Sequence, residues 1–136
     1  MDNFEFGERL KKRTKAFAVD VIRFYVKLPR SVEARVLGRQ LLRSGTSVAA
    51  NYRAVCRAKS NPDFISKLGT VVEETDETLL WLELFEEAEV LPGSALGPLK
   101  QESRELLNIF SRALSTARHS TTPQLPNSPT PKLPSS

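Results

Sequence analysis

The chain has 136 residues, 40% hydrophobic and 26% charged, with a formal net charge of +4. That length fits one domain, and about 120 residues bury enough surface to fold without a disulfide or a structural metal. The single cysteine, Cys56, excludes an internal disulfide. No stretch approaches the roughly 18 apolar residues of a membrane span and no secretory leader is visible, so a cytoplasmic protein with no membrane partner is expected.

In chain order, Leu10, Thr14, Phe17, Val21, Phe24 and Leu28 recur at three- and four-residue steps. This predicts a first helix over about Gly7–Lys27, ended by Pro29, because the residue before a proline is pushed out of the α region. Ser31 is a candidate N-cap for a second helix reaching about Arg57, with Val36, Leu37, Leu41, Val48, Tyr52 and Val55 as its apolar face. Its middle, Ser44-Gly45-Thr46-Ser47 and Ala49-Ala50, is rich in small residues. Three readings fit this strip: close approach of a neighbouring helix, a recess for a ligand or partner, or a break at Gly45.

Ser60-Asn61-Pro62-Asp63 combines a cap, a first-turn proline and a first-turn acid, which starts a third helix running to about Ala88. Phe64, Leu68, Val71, Thr75, Leu79, Leu82 and Phe85 form its core stripe, and its other faces are acidic. A loop follows at Leu91-Pro92-Gly93-Ser94. A fourth helix starts between Ser94 and Pro98 and runs to about Arg118, carrying Leu99, Leu106, Ile109, Phe110, Ala113, Leu114 and Ala117. No segment alternates with period two, so no sheet is expected. Four helices with short connections predict an all-α, antiparallel up-down bundle over residues 1–120. Five prolines among polar residues from Thr121 onward predict a disordered tail over 121–136.

Charge is split along the chain. Residues 1–60 hold 14 Lys/Arg against 5 Asp/Glu, and residues 61–120 hold 5 against 11. Oppositely charged halves favour packing of one on the other. Arg9, Lys11, Lys12, Arg13 and Lys15 open the first helix, and Arg53, Arg57 and Lys59 close the second. An up-down bundle brings these two stretches to the same end. They are candidate contacts for RNA or DNA phosphates, with an ordinary solvated basic surface as the bland alternative.

Helices 2 and 3 pivot near residue 60, so facing positions sum to about 120. Arg43 then lies level with Glu77, Ser47 with Glu73, and Asn51 with the turn after Lys67. This predicts a partly buried network of Arg43, Asn51, Glu73, Glu74 and Glu77 that either sets helix register or recognises a partner. Trp81, between the core stripe and the acidic face, is either a core residue or, with Tyr52, an interface anchor.

Catalytic signals are weak. A di-iron bundle needs Glu-x-x-His pairs, and the chain has one histidine, His119, and no such pair. Cys56 lies among Arg53 and Arg57, whose charge would favour a thiolate, but a helical cysteine beside apolar neighbours is more often a small core residue. No glycine-rich phosphate loop or dinucleotide fingerprint is present. No cofactor, metal or enzymatic activity is expected.

The series Gly45-Thr46-Ser47, Asn51-Tyr52-Arg53-Ala54, Cys56-Arg57-Ala58-Lys59-Ser60, Asp63-Phe64, Glu73-Glu74-Thr75-Asp76-Glu77-Thr78 and Trp81-Leu82 resembles the bacterial four-helix-bundle family that includes the 23S rRNA-intervening-sequence proteins. The likeness covers about residues 7–118 in layout and is densest over 41–85. Many members read Asn-Ile-Ala-Glu-Gly where this chain has Asn51-Tyr52-Arg53-Ala54-Val55, so no role of that glutamate carries over. The resemblance implies a left-handed up-down bundle that assembles as a homo-oligomer, a pentameric ring. Some relatives are encoded within intervening sequences of ribosomal RNA genes, and a distant one accompanies a reverse transcriptase and binds nucleic acid. A nucleic-acid-associated scaffold is therefore expected, with a protein–protein adaptor using the helix 2/helix 3 face as the alternative.

Overall fold

The computed structural model describes residues 3–121 as four antiparallel helices: α1 (Asn3–Val26), α2 (Val32–Val55), α3 (Asn61–Glu87) and α4 (Gly93–Thr121). No strand occurs among the described residues. The helix count and order match the periodicity, with ends shifted by up to one turn. The expected tail beyond Thr121 lies outside the described residues, and Thr121 itself is helical.

Local chemistry sets most of the boundaries. The Ser31 hydroxyl accepts the Ala34 N–H at 3.1 Å and caps α2. The Ser60 hydroxyl accepts the Asp63 N–H at 3.2 Å and caps α3, with Pro62 in the first turn. The Asp63 carboxylate accepts from Lys67 Nζ and from the Lys59 N–H, and these bonds hold it below its ordinary pKa, Lys67 first.

The end of α3 has no such sequence signal. The Val90 N–H bonds the Phe85 carbonyl and the Glu89 N–H bonds the Glu86 carbonyl, both at 3.0 Å, which is the Schellman pattern. Glu89 takes the left-handed position with φ 57°, where glycine is usual. Glu89→Gly is therefore expected to raise stability, by up to about 1 kcal/mol, in thermal melts.

The core runs along the bundle axis. Phe17, Phe85 and Phe110 are its largest fully buried side chains, with Leu41, Leu68, Leu82 and Leu106 around them. Phe24 meets Phe85 edge-on at 5.7 Å between ring centroids.

Packing is uneven. α2 lies between α1 and α3, α3 also packs on α4, and α1 and α4 touch least. The small-residue strip of α2 explains part of this. α2 runs unbroken through Gly45, and the hollows described below are lined elsewhere. Close approach is the correct reading. A Cβ on Gly45 would lie 2.9 Å from a Val21 methyl, and one on Gly38 would lie 3.2 Å from Tyr25 Cδ1 and 2.4 Å from Leu28 Cδ1 just past α1, so both glycines seat α1 against α2. Ser44 faces the other neighbour: its buried hydroxyl accepts from the Thr78 hydroxyl of α3 at 2.9 Å.

Candidate nucleic-acid interface

The up-down order brings the start of α1, the end of α2, the start of α3 and the end of α4 to one end of the bundle. Two adjoining hollows open there. The first, of about 860 Å³, is walled by Phe4, Lys11, Arg53, Cys56, Arg57 and Lys59. The second, of about 680 Å³, is mainly apolar, with Phe6, Leu10, Phe64, Ile65, Ile109 and Phe110 on its walls beside Arg112 and Thr116. Asn3, Gly7, Tyr52, Val55, Asn61 and Phe64 border both. We refer to them as the basic recess and the apolar mouth.

The eight candidate cations divide here. Arg53, Arg57 and Lys59 are exposed on the recess wall. Lys11 joins them, partly offset by Glu8 at 3.0 Å. Lys12 and Lys15 are exposed along the outer surface of α1 and do not line the recess. Arg9 is exposed beside a smaller hollow with Phe4, Glu5 and Glu8, and it has interactions within the fold.

Arg13 corrects the sequence expectation. Its guanidinium crosses to α4 and forks onto Glu102 at 2.7 and 2.8 Å, with Glu105 at 2.7 Å. The hydrogen bond to Glu102 leads in raising its already high pKa. Glu105 is held below its ordinary value, first by the Gln101 amide and then by Arg13. Arg13 thus spans the sparse α1/α4 seam and is committed to the fold. A partner 89 residues away left no sequence signal.

The proposed polar network is smaller than expected. Arg43 bonds Glu77 and reaches Glu74 at 3.4 Å, as the register predicted. The Trp81 indole N–H donates to the same Glu77 at 3.2 Å. Asn51 does not join: its amide donates to the Ser47 carbonyl of its own helix at 2.9 Å. Glu73 is exposed and Ser47 half-buried, and the level of α2 they were expected to share carries no bond between them. The buried crossing is Ser44–Thr78, each one residue on from Arg43 and Glu77, and the same facing-sum rule could have found it.

Two aromatic expectations also change. Tyr52 is buried with its ring tilted against Phe110 at 5.4 Å, so it belongs to the core and is not a surface anchor. Burial, then the neighbouring Cys56, pushes its phenol above the ordinary value. Trp81 packs on the edge of the core and is half-exposed.

Cys56 is exposed on the recess wall and is not the small core residue expected. The cause is its position one residue past α2, where the chain turns away from the core. His119 is exposed on α4 with Nδ1 2.7 Å from the Ser115 carbonyl. Among the described residues no group of three His, Cys, Asp or Glu could hold a metal, and no helix is long and apolar enough to cross a membrane.

Comparison with known proteins places these features in a family. The family profile described as 23S rRNA-intervening sequence protein matches residues 9–112. A crystal structure from Bacteroides thetaiotaomicron, of a protein with unknown function from the S23 ribosomal protein family, is 31% identical in sequence. It superposes with a TM-score of 0.74 over 80% of this chain and 97% of that one. No curated protein matches.

Proposed function

The chain belongs to the 23S rRNA-intervening sequence protein family, and from that premise we propose that it is a non-enzymatic, self-assembling scaffold that associates with RNA or DNA in the cytoplasm. The observation that carries this reading is the basic recess. Lys11, Arg53, Arg57 and Lys59 converge there from α1 and the end of α2, with Glu8 as the one acid on its wall. Clustered cations of this kind favour phosphate through counterion release, with little base reading. Assembly as a homo-oligomer is carried by kinship, and a ring of five copies predicts a sedimentation mass five times that of the chain.

The test is charge reversal within the recess. Arg53→Glu with Arg57→Glu is expected to weaken binding of a labelled oligonucleotide roughly 10- to 100-fold and to lower the salt slope by about 1.5–2, as two phosphate contacts are lost. Both arginines are exposed, so circular dichroism should stay unchanged. Arg13 is left intact because it holds α4. Unaltered affinity and slope would sink the reading.

A second reading, an adaptor docking a protein on the α2/α3 face, is favoured by the exposed Val36 and Leu80 on the two helices that also carry half-exposed Trp81. It predicts that Trp81→Ala disperses a complex or assembly while the fold survives.

A further inference from the structure

Two phenylalanines near the start of α1 leave much of their rings in solvent. Phe4 is 74% exposed and Phe6 43% exposed. Burial of a phenylalanine stabilises a fold roughly in proportion to the apolar area removed from water, so Phe4 contributes little by that route. Their positions are specific, however. Phe4 stands on the wall of the basic recess beside Lys11, Arg53, Arg57 and Lys59. Phe6 stands on the wall of the apolar mouth, which continues inward past Phe64 to the buried ring of Phe110. Asn3 and Asn61, which border both hollows, add amide groups that can both donate and accept.

Exposed aromatic faces interleaved with cations are what a single-stranded nucleic acid needs. Its phosphates follow the positive wall while its unpaired bases stack on rings, and every base has a face to offer. A duplex keeps its bases stacked on one another, so it reaches the cations and not the rings. We propose that the end of the bundle binds single-stranded RNA or DNA in preference to duplex, with phosphates on Arg53, Arg57 and Lys59 and bases stacked on Phe4 and in the mouth at Phe6. This rests on the nucleic-acid reading above and deepens it, because it assigns the strand form and the groups that select it.

The acids nearby leave the wall positive. Glu8 is taken up by Lys11, and Asp63 by Lys67 and the Lys59 N–H. Arg53 and Arg57 form no ion pair among the described residues.

The test uses the full chain and a labelled 12-nucleotide RNA, offered as a single strand and as a duplex with its complement, followed by fluorescence anisotropy. The parent should bind the single strand more tightly. Phe4→Ala with Phe6→Ala should weaken single-strand binding roughly 10- to 100-fold, leave duplex binding unchanged and leave the salt slope unchanged, since stacking carries no counterion release. Phe4→Leu with Phe6→Leu keeps apolar bulk but removes the π-face, and should lose most of the same affinity. Equal affinity for both strand forms, or phenylalanine variants that bind like the parent, would overturn this inference while the charge-based reading stands. A parent that binds neither form overturns both. Sedimentation of the same variants completes the test: a fall in oligomer mass without loss of single-strand affinity assigns the two rings to assembly and overturns the inference.

Discussion

Phe110→Ala is expected to remove about 3–5 kcal/mol of folding stability, the range for deleting a buried phenylalanine ring. Phe110 has no exposed surface and its ring lies tilted against Tyr52. It also backs the apolar mouth, so the space vacated opens toward solvent on that side. Water entering there would not recover the lost packing, because Leu10, Leu68 and Ile109 on the same lining are apolar. A domain of this size has about 5–15 kcal/mol in total, so roughly a fifth or more of the stability is at stake. Urea titration should show a lower midpoint at an unchanged slope. A loss below about 1 kcal/mol would mean that the ring is not the keystone its burial indicates.

The second large effect is expected at Gly45. Replacing a mid-helix glycine by alanine ordinarily gains about 0.5–1 kcal/mol of stability. Gly69 of α3 should behave so, since a Cβ there meets nothing within 4 Å. Gly45 should not. Its Cβ would lie 2.9 and 3.0 Å from the two Val21 methyls and 3.3 Å from the Val21 Cβ. Val21 is fully buried and β-branched, with one strongly preferred χ1 rotamer, so it yields little. α1 itself must move out, and overpacking of this kind costs about 1–3 kcal/mol, occasionally more. Gly45→Ala is therefore expected to be neutral to destabilising by about 2 kcal/mol, and Gly45→Leu destabilising by about 3 kcal/mol or more. Pairing Gly45→Ala with Val21→Ala should give a coupling of about 0.5–3 kcal/mol, the double variant being more stable than the sum of the two singles. Strict additivity would show that the helices are not held at contact distance by this glycine.

Both effects depend on which residues meet, and the sequence conveyed that unevenly. Arg43 opposite Glu77 was legible, because an antiparallel hairpin with a known pivot fixes facing positions by arithmetic. The same arithmetic placed Ser47 opposite Glu73 and Asn51 in a shared network, and these failed. Level along the axis does not say which way around its own helix a side chain points. Asn51 had a nearer acceptor one turn back in its own backbone. Tyr52 was legible as part of the apolar face of α2 with Val48 and Val55, and its burial there removes it as an interface anchor.

The basic end shows the division most clearly. Eight cations at one end of the bundle followed from sequence once the helices were ordered, but their availability did not. Arg13 looked like Arg9 and Lys12 until α4 arrived with Glu102 and Glu105 in reach. Phe4 and Phe6 lay outside the predicted first helix. Only when α1 began at Asn3 did they become the rim of two hollows.

What the sequence by itself determined is the set of four helices, a cap at Ser31 and another at Ser60 or Asn61, their apolar stripes and the split of charge between the halves. These are local properties, decided within a turn or two of backbone by hydrogen bonding and side-chain period. Only the tertiary structure decided that Gly38 and Gly45 draw α1 onto α2, that the α1/α4 seam stays sparse and is clamped by Arg13, and that a basic recess opens beside an aromatic mouth. Each of those depends on residues far apart in the chain reaching contact distance, and the helical period carries no record of that.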